Sequence, residues 1–116
     1  MPLMRIQTNQ EISTTEQRRE LLGAASEKTA ELLAKPEGYV MVSLETGHDL
    51  LFAGNDEPAA LVELASLGLP QDRTGELSGA ICTFLQERMG IPKGRVYIHF
   101  QDVARHMWGT NGTTFG

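Results

Sequence analysis

The chain has 116 residues, of which 41% are hydrophobic and 22% are charged, and its formal net charge is −5. This size and balance are typical of one globular domain with a core of its own. The negative charge argues against a nucleic-acid-binding protein, because no basic face is available to replace phosphate counterions. No apolar run approaches the roughly 20 residues of a membrane span. The single cysteine, Cys82, excludes an internal disulfide, and with no signal-peptide pattern we expect a cytoplasmic protein.

The first predicted element is a strand over residues 2–8, in which apolar and polar side chains alternate. It begins with Pro2, which becomes a free secondary amine if Met1 is removed, although a Met-Pro start by itself is a weak signal. Residues 13–16 match a capping box with Ser13 as the N-cap. A helix is predicted from there to about Lys35. Its apolar stripe consists of Leu22, Ala25, Thr29, Leu32 and Leu33.

The middle of the chain predicts two further strands. Residues 36–38 (Pro-Glu-Gly) end the helix, and residues 39–44 are rich in β-formers. We expect this second strand to be more buried than the first. Residues 59–67 form an apolar run that is typical of a strand in a covered sheet.

The last third of the chain predicts a helix, a strand and a hairpin. The helix covers residues 74–89, with one apolar face and Gly90 at its end. Residues 95–101 alternate as a strand. Asn111-Gly112 is a strong signal for the turn of a short hairpin over residues 107–116.

A repeat with a period of 56 residues relates the two halves of the chain. Pro36, Gly38 and Val40 recur as Pro92, Gly94 and Val96, and Pro2 recurs as Pro58. Residues 2–53 and 58–106 therefore predict two βαβ units in one α+β domain. They form a four-stranded mixed sheet with two helices on one face and short edge strands besides. The strands are too apolar for the other face of the sheet to be exposed to water, which favours a cyclic homo-oligomer in which another subunit covers that face. The pattern does not predict the number of subunits.

A set of short segments, spread along the chain in a fixed order, carries the strongest signal. The set consists of Pro2, Thr8-Asn9, Lys35-Pro36, residues 57–59, residues 66–68, residues 95–98 and residues 111–115. Together they resemble the macrophage migration inhibitory factor (MIF) and D-dopachrome tautomerase family of the tautomerase superfamily. The resemblance implies a homotrimer with its sheets facing inward around a central channel. It also implies a keto–enol tautomerase that acts on phenylpyruvate and dopachrome analogues.

The resemblance assigns roles to individual residues. The nitrogen of Pro2, free after Met1 is removed, would be the base. Lys35 would lower the pKa of that amine and, with the backbone amide of Leu67, would bind the carboxylate of a small α-keto acid or its enol. Tyr97 would reach the pocket from the adjacent subunit. Further contacts are implied for His99 at the substrate and for Met107 and Phe115 in the pocket wall. No metal or organic cofactor is implied.

Three positions depart from the family pattern. His99 stands where animal members carry asparagine, which puts the substrate preference in doubt. Thr110 stands where family members often carry tryptophan, so stacking on an aromatic substrate should be weaker. Residues 59–62 replace a Cys-x-x-Cys motif, so thiol-redox activity is not expected here.

Simpler interpretations stand beside these roles. Lys35 is also explained as a cation at a helix C-terminus, and Tyr97 as a strand aromatic at an interface. For the whole protein, the rival is a cytokine-like trimer that binds a protein receptor and retains a vestigial tautomerase, with leaderless secretion allowed by the resemblance. A third reading is a tautomerase-fold protein whose substrate is a different unsaturated acid.

Overall fold

The computed structural model describes residues 1–116 and is built on a four-stranded sheet with the order β2-β1-β3-β4. In chain order the elements are β1 (Pro2–Thr8), α1 (Thr15–Leu33), β2 (Met41–Glu45), β3 (Ala60–Leu67), α2 (Thr74–Met89), β4 (Val96–Val103), β5 (Gly109–Thr110) and β6 (Thr113–Thr114). β1 pairs in parallel with β2 and antiparallel with β3, and β3 pairs in parallel with β4. The predicted α+β fold with a mixed sheet and a C-terminal hairpin is therefore confirmed.

The 56-residue repeat is visible in the backbone. Pro36 and Pro92 both have φ −60°, and each begins a single turn of 3₁₀ helix that leads into a parallel strand. The strand registers of the two halves nevertheless differ. Leu3 of β1 pairs with Met41, whereas Tyr97, the counterpart of Met41, pairs with Leu61. The difference amounts to two residues, which leaves every side chain on the same face of the sheet.

The core lies between the sheet and the two helices, which pack on the same face. Alternate side chains of the central strands, such as Ile6 and Leu64, point into it. The buried apolar residues from the helices are Leu21, Ala25, Leu33, Leu77, Ile81, Cys82, Phe84 and Leu85. Leu21 takes the place predicted for Leu22, because the buried positions of α1 follow a spacing of four residues. Neither helix has the length and apolar content to cross a membrane.

Both ends of α1 differ from the sequence prediction. Thr14, not Ser13, is the N-cap, and its hydroxyl accepts the backbone N–H of Gln17 at 3.1 Å. The pattern Thr-Thr-Glu-Gln satisfies the capping-box rule as well as the pattern one residue earlier does. The helix ends at Leu33, two residues before Lys35.

The prediction that the second strand is more buried than the first is wrong. β2 lies at the edge of the sheet, and its first residue, Met41, is 67% exposed. β1 lies between two strands, and four of its seven side chains are buried. β2 also begins later than expected, because Glu37–Tyr39 forms the 3₁₀ turn. Apolar content alone does not distinguish an edge strand from a central one.

The sheet face opposite the helices is not covered by any part of the same chain along its middle. Its centre is charged: Arg5 donates to Glu45 and to Glu63, each at 3.1 Å. Apolar side chains lie toward the ends of this face, and Tyr97 is 67% exposed there. The apolar strands predict a uniformly apolar face. The observed face is instead mixed, with charged residues at its centre and apolar residues toward its ends.

The two helices end in the same backbone geometry with different residues. Ala34 follows α1 with φ 52°, and Gly90 follows α2 with φ 67°. These positions are 56 residues apart and correspond in the repeat. The left-handed conformation costs a residue with a Cβ about 1 kcal/mol, whereas glycine adopts it freely.

Replacement of Ala34 by glycine should therefore stabilise the protein by about 1 kcal/mol. The matched variant Gly90→Ala should destabilise it by a similar amount, because a Cβ at Gly90 meets no atom within 4 Å and only the backbone strain changes. Urea unfolding at one fixed protein concentration measures both. A null effect of Ala34→Gly, or shifts of the same sign in both variants, would contradict this account.

Candidate active site

Pro2 lies at the end of the central strand β1 and is less than 2% exposed. Proline is tolerated there because the first residue of a strand need not donate to the ladder. Its partner across the sheet is Ser66 of β3. Pro2 also lines a groove of about 530 Å³ on the side of the sheet away from the helices. The other lining residues are Met1, Leu3, Tyr39, Met41, Ala65, Gln101, Val103, Met107, Trp108, Gly109 and Thr110.

The N-terminal amine beside this groove is electrostatically perturbed. Burial, and to a smaller degree the positive charge of Lys35, lower the pKa of the Met1 amino group from its usual value of 8.0. Lys35 is fixed just beyond α1, where its backbone N–H donates to the carbonyl of Ala30 at 3.0 Å. Removal of Met1 transfers the free amine to Pro2, which is the more deeply buried of the two residues. We expect the same two causes to lower the pKa there.

Leu67 lies at the same end of the sheet as Pro2. It is the last residue of β3 and directly follows Ser66, the partner of Pro2. The chain then turns at Gly68, whose φ of 64° is in the left-handed region. The structure therefore places Pro2, Lys35 and Leu67 at the same end of the sheet, although Lys35 and Leu67 are not among the residues that line the groove.

Tyr97 and His99 lie far from Pro2 in the same chain. Tyr97 pairs with Leu61, whose other neighbour is Gln7, five residues along β1 from Pro2. With about 3.3 Å per residue and about 4.8 Å between strands, Tyr97 is about 19 Å from Pro2, and by the same count His99 is about 14 Å away. Neither side chain completes the groove around Pro2 within one chain.

Tyr97 is held by the loop between β2 and β3, residues 46–59. The sequence did not predict this loop as part of a site. The ring of Phe52 packs edge-on against Tyr97 with a centroid distance of 4.9 Å, and the Arg95 guanidinium lies 5.1 Å from the other ring, that of Phe52. Arg95 also donates to backbone carbonyls of the loop, including that of Pro58 at 2.9 Å. From the other side, the Asn9 side chain donates to the carbonyl of Glu57 at 2.9 Å. The loop and Tyr97 therefore form one cluster.

The C-terminal segment closes one side of the groove. Met107, Trp108 and Thr110 line it, and Met107 is 71% exposed. Phe115 does not line the groove in the single chain. Its backbone N–H donates to the carbonyl of Trp108 at 3.2 Å, and its carbonyl accepts from Arg105 at 2.9 Å. Phe115 thus fixes the segment that carries the groove residues.

Tyr39 is a lining residue that sequence reasoning missed. It was predicted within a strand, whereas it ends the 3₁₀ turn before β2 and is 55% exposed beside the groove. Its position directly after the Pro-Glu-Gly turn is the only sequence signal for such a role.

Comparison with known proteins extends the match to the whole chain. The family profile described as macrophage migration inhibitory factor (MIF) matches residues 1–116. A macrophage migration inhibitory factor homologue of Trichinella spiralis is 36% identical over 116 residues, which cover 99% of this chain and 100% of the relative. The crystal structure of a homologue from Prochlorococcus marinus is similar with a TM-score of 0.90 and 44% identity, covering 98% of this chain and 99% of the other. The structure of the factor from Trichinella spiralis has a TM-score of 0.89 and 35% identity, with 97% and 99% covered.

Replacement of Lys35 by methionine should raise the pKa of the N-terminal amine, because it removes the nearby cation that disfavours protonation. The pKa should still lie below that of an exposed terminal amine, since burial is the larger cause and remains. An NMR titration of the terminal residue measures the shift. Lys28→Met, in α1 and paired with Glu31 at 3.9 Å, is the matched control.

The same shift has a consequence for stability. The unfolded chain binds the amine proton more tightly, so stability should rise with pH from the folded-state pKa up to about 8. The assignment of Lys35 as a cause of the lowered pKa would be contradicted if Lys35→Met left the pKa of the terminal amine unchanged. It would also be contradicted if Lys28→Met raised that pKa equally.

Proposed function

Because the chain belongs to the macrophage migration inhibitory factor family, we propose that it is a keto–enol tautomerase with the nitrogen of Pro2 as its base. Family membership supports a tautomerase, and hence an isomerase, in the general sense. The observation that carries the finer proposal is the position of Pro2, which is buried at the end of a central strand, beside a groove, where the pKa of the terminal amine is lowered.

The reaction needs a base that is free near neutral pH and can return its proton. A lowered amine pKa provides a larger unprotonated fraction. The Pro2 nitrogen takes a proton from the carbon next to the carbonyl, so that the C–H bond breaks and an N–H bond forms. The same proton then passes to the carbonyl oxygen to give the enol, and the reverse sequence ketonises it. The net change is an isomerisation, so no oxidant, reductant or cofactor takes part.

We propose an α-keto acid such as phenylpyruvate as the substrate class. Lys35 and the backbone amide of Leu67 lie at the same end of the sheet as Pro2, and a cation and an N–H donor are suited to a carboxylate. The apolar groove lining, with Tyr39 and Trp108, suits the rest of the molecule. Thr110 stands where family members often carry tryptophan, and His99 where animal members carry asparagine. These two differences favour, within this proposal, an aliphatic or differently substituted acid.

We propose further that the complete site is shared between copies of the chain in a homotrimer. Tyr97 is about 19 Å from Pro2 of its own chain, so a Tyr97 that contacts the substrate must come from a neighbour. The sheet face that carries Tyr97 is uncovered and therefore available for such packing. The C-terminal hairpin, which is exposed, is a candidate for pairing with the neighbour.

Replacement of Pro2 by glycine should reduce phenylpyruvate ketonisation at least about 100-fold, because a primary amine with a different pKa and no ring replaces the base. Glycine still permits removal of Met1, which mass spectrometry checks in both proteins. Pro58→Gly, the counterpart in the repeat, is the matched control and should keep its rate within a few-fold. Equal rates for wild type and Pro2→Gly would refute the mechanism. Negligible turnover in the wild type, together with capture of a protein partner that ignores Pro2→Gly, would favour the cytokine-like alternative.

A mixing experiment tests the shared site. Pro2→Gly and Tyr97→Ala chains, each impaired alone, are unfolded together in equal amounts and refolded. If each site combines Pro2 of one copy with Tyr97 of the next, about a quarter of the sites regain both native residues. Ketonisation should recover to about a quarter of the wild-type rate. No recovery, in a preparation whose mass matches the wild-type assembly, would place both residues in one chain.

A further inference from the structure

The loop that follows β3 is held by a carboxylate from the neighbouring strand β4. Asp102 accepts the backbone N–H of Leu69 on its Oδ1 at 3.1 Å and the side-chain amide of Gln71 on its Oδ2 at 2.8 Å. Both oxygens of the carboxylate are therefore engaged by the loop. The bond to Leu69 is partly buried and the bond to Gln71 is exposed, and together they form a clamp on a loop that contains a left-handed glycine, Gly68.

The clamp lies in the same row of the sheet as the proposed base. Ser66 pairs with Pro2 on one side and with Asp102 on the other. Leu67 lies between this row and the residues that Asp102 binds, and its carbonyl accepts the hydroxyl of the buried Ser66 at 3.1 Å. The peptide units on both sides of Gly68 are thus fixed, one through Ser66 and the other through Asp102.

From this arrangement we propose that Asp102 is a positioning residue for the carboxylate of the substrate. It helps to fix the loop that directly follows Leu67, and through that loop it holds the adjoining backbone amide of Leu67 in its direction toward the substrate without touching the substrate itself. The proposal rests on the tautomerase function and on the role of the Leu67 amide proposed above. It adds a residue that determines the preference for an acid over an uncharged analogue.

A purely structural role for Asp102 makes a different prediction. If Asp102 only stabilised the fold, its loss would affect acid and ester substrates alike. If it orients the Leu67 amide, its loss affects the substrate that carries a carboxylate and spares the one that does not. The ratio of kcat/KM for phenylpyruvate to that for its methyl ester separates the two roles.

Four variants test the proposal, each checked for its melting temperature. Asp102→Ala should lower the acid-to-ester ratio about tenfold, mainly through KM for the acid, because a charge-assisted bond to the loop is lost. Asp102→Asn should keep the ratio within about twofold, since its amide oxygen still accepts the N–H of Leu69 and its NH2 can donate to Oε1 of Gln71 once that side-chain amide flips. Gln71→Ala removes one donor of the clamp, leaves the other, and should lower the ratio about threefold. Asp72→Ala removes a neighbouring carboxylate that makes neither bond, and should leave the ratio unchanged.

The outcomes separate this proposal from the function on which it rests. An unchanged ratio in both Asp102→Ala and Gln71→Ala overturns the role of Asp102, and so does an equal loss for acid and ester. If Asp102→Ala does not fold, Gln71→Ala measured against Asp72→Ala decides. A wild-type protein that turns over neither compound overturns the tautomerase. In that case the dissociation constants of acid and ester, measured by calorimetry, supply the same ratio and decide the role of Asp102 separately.

Discussion

The pairing of β1 between β2 and β3 is the constraint on which the rest of the structure depends. It places the chain terminus in the middle of a sheet, whereas the termini of most domains are loosely held. Because Pro2 has no N–H, it fits only at the end of such a ladder. The same pairing places Ser66 beside Pro2 and brings the end of β3 to the proposed base. Burial of the terminus and the lowered pKa of its amine both follow from this arrangement.

The local electrostatics of the site oppose the charge of the whole chain. The protein carries a net −5, which would repel an anionic substrate at long range at low ionic strength. At cellular ionic strength this field is screened beyond about 8 Å, so a local cation such as Lys35 can outweigh it at the proposed site. In the proposed mechanism Lys35, just beyond the end of α1, has two effects: it disfavours protonation of the base and attracts the carboxylate of the substrate. The carboxylate of Asp102, in contrast, is occupied by the loop.

Much of the fold could be predicted because its signals are local. The alternation in β1, the apolar face of α2 and the turn residues repeated at Pro36 and Pro92 each fix an element without reference to the rest of the chain. The burial of β2 could not be predicted, because its place at the sheet edge follows from strand order. The site divides in the same way. Pro2 and Lys35 are proposed from segment patterns, whereas the hydrogen bonds of Asp102 and the packing of Phe52 depend on contacts between residues distant in sequence.

The two halves of the repeat differ by two residues in strand register, and the duplicated βαβ unit does not reproduce at Pro58 the surroundings of Pro2. Pro58 corresponds to Pro2 in the repeat, yet β3 begins at Ala60, so Pro58 lies outside the sheet rather than at the end of a strand. A circularly permuted chain that began at Pro58 would offer a proline amine without the ladder, groove and cation that surround the natural terminus. The internal symmetry of the fold therefore does not extend to the surroundings of the two prolines, and only Pro2 has the position that the proposed chemistry requires.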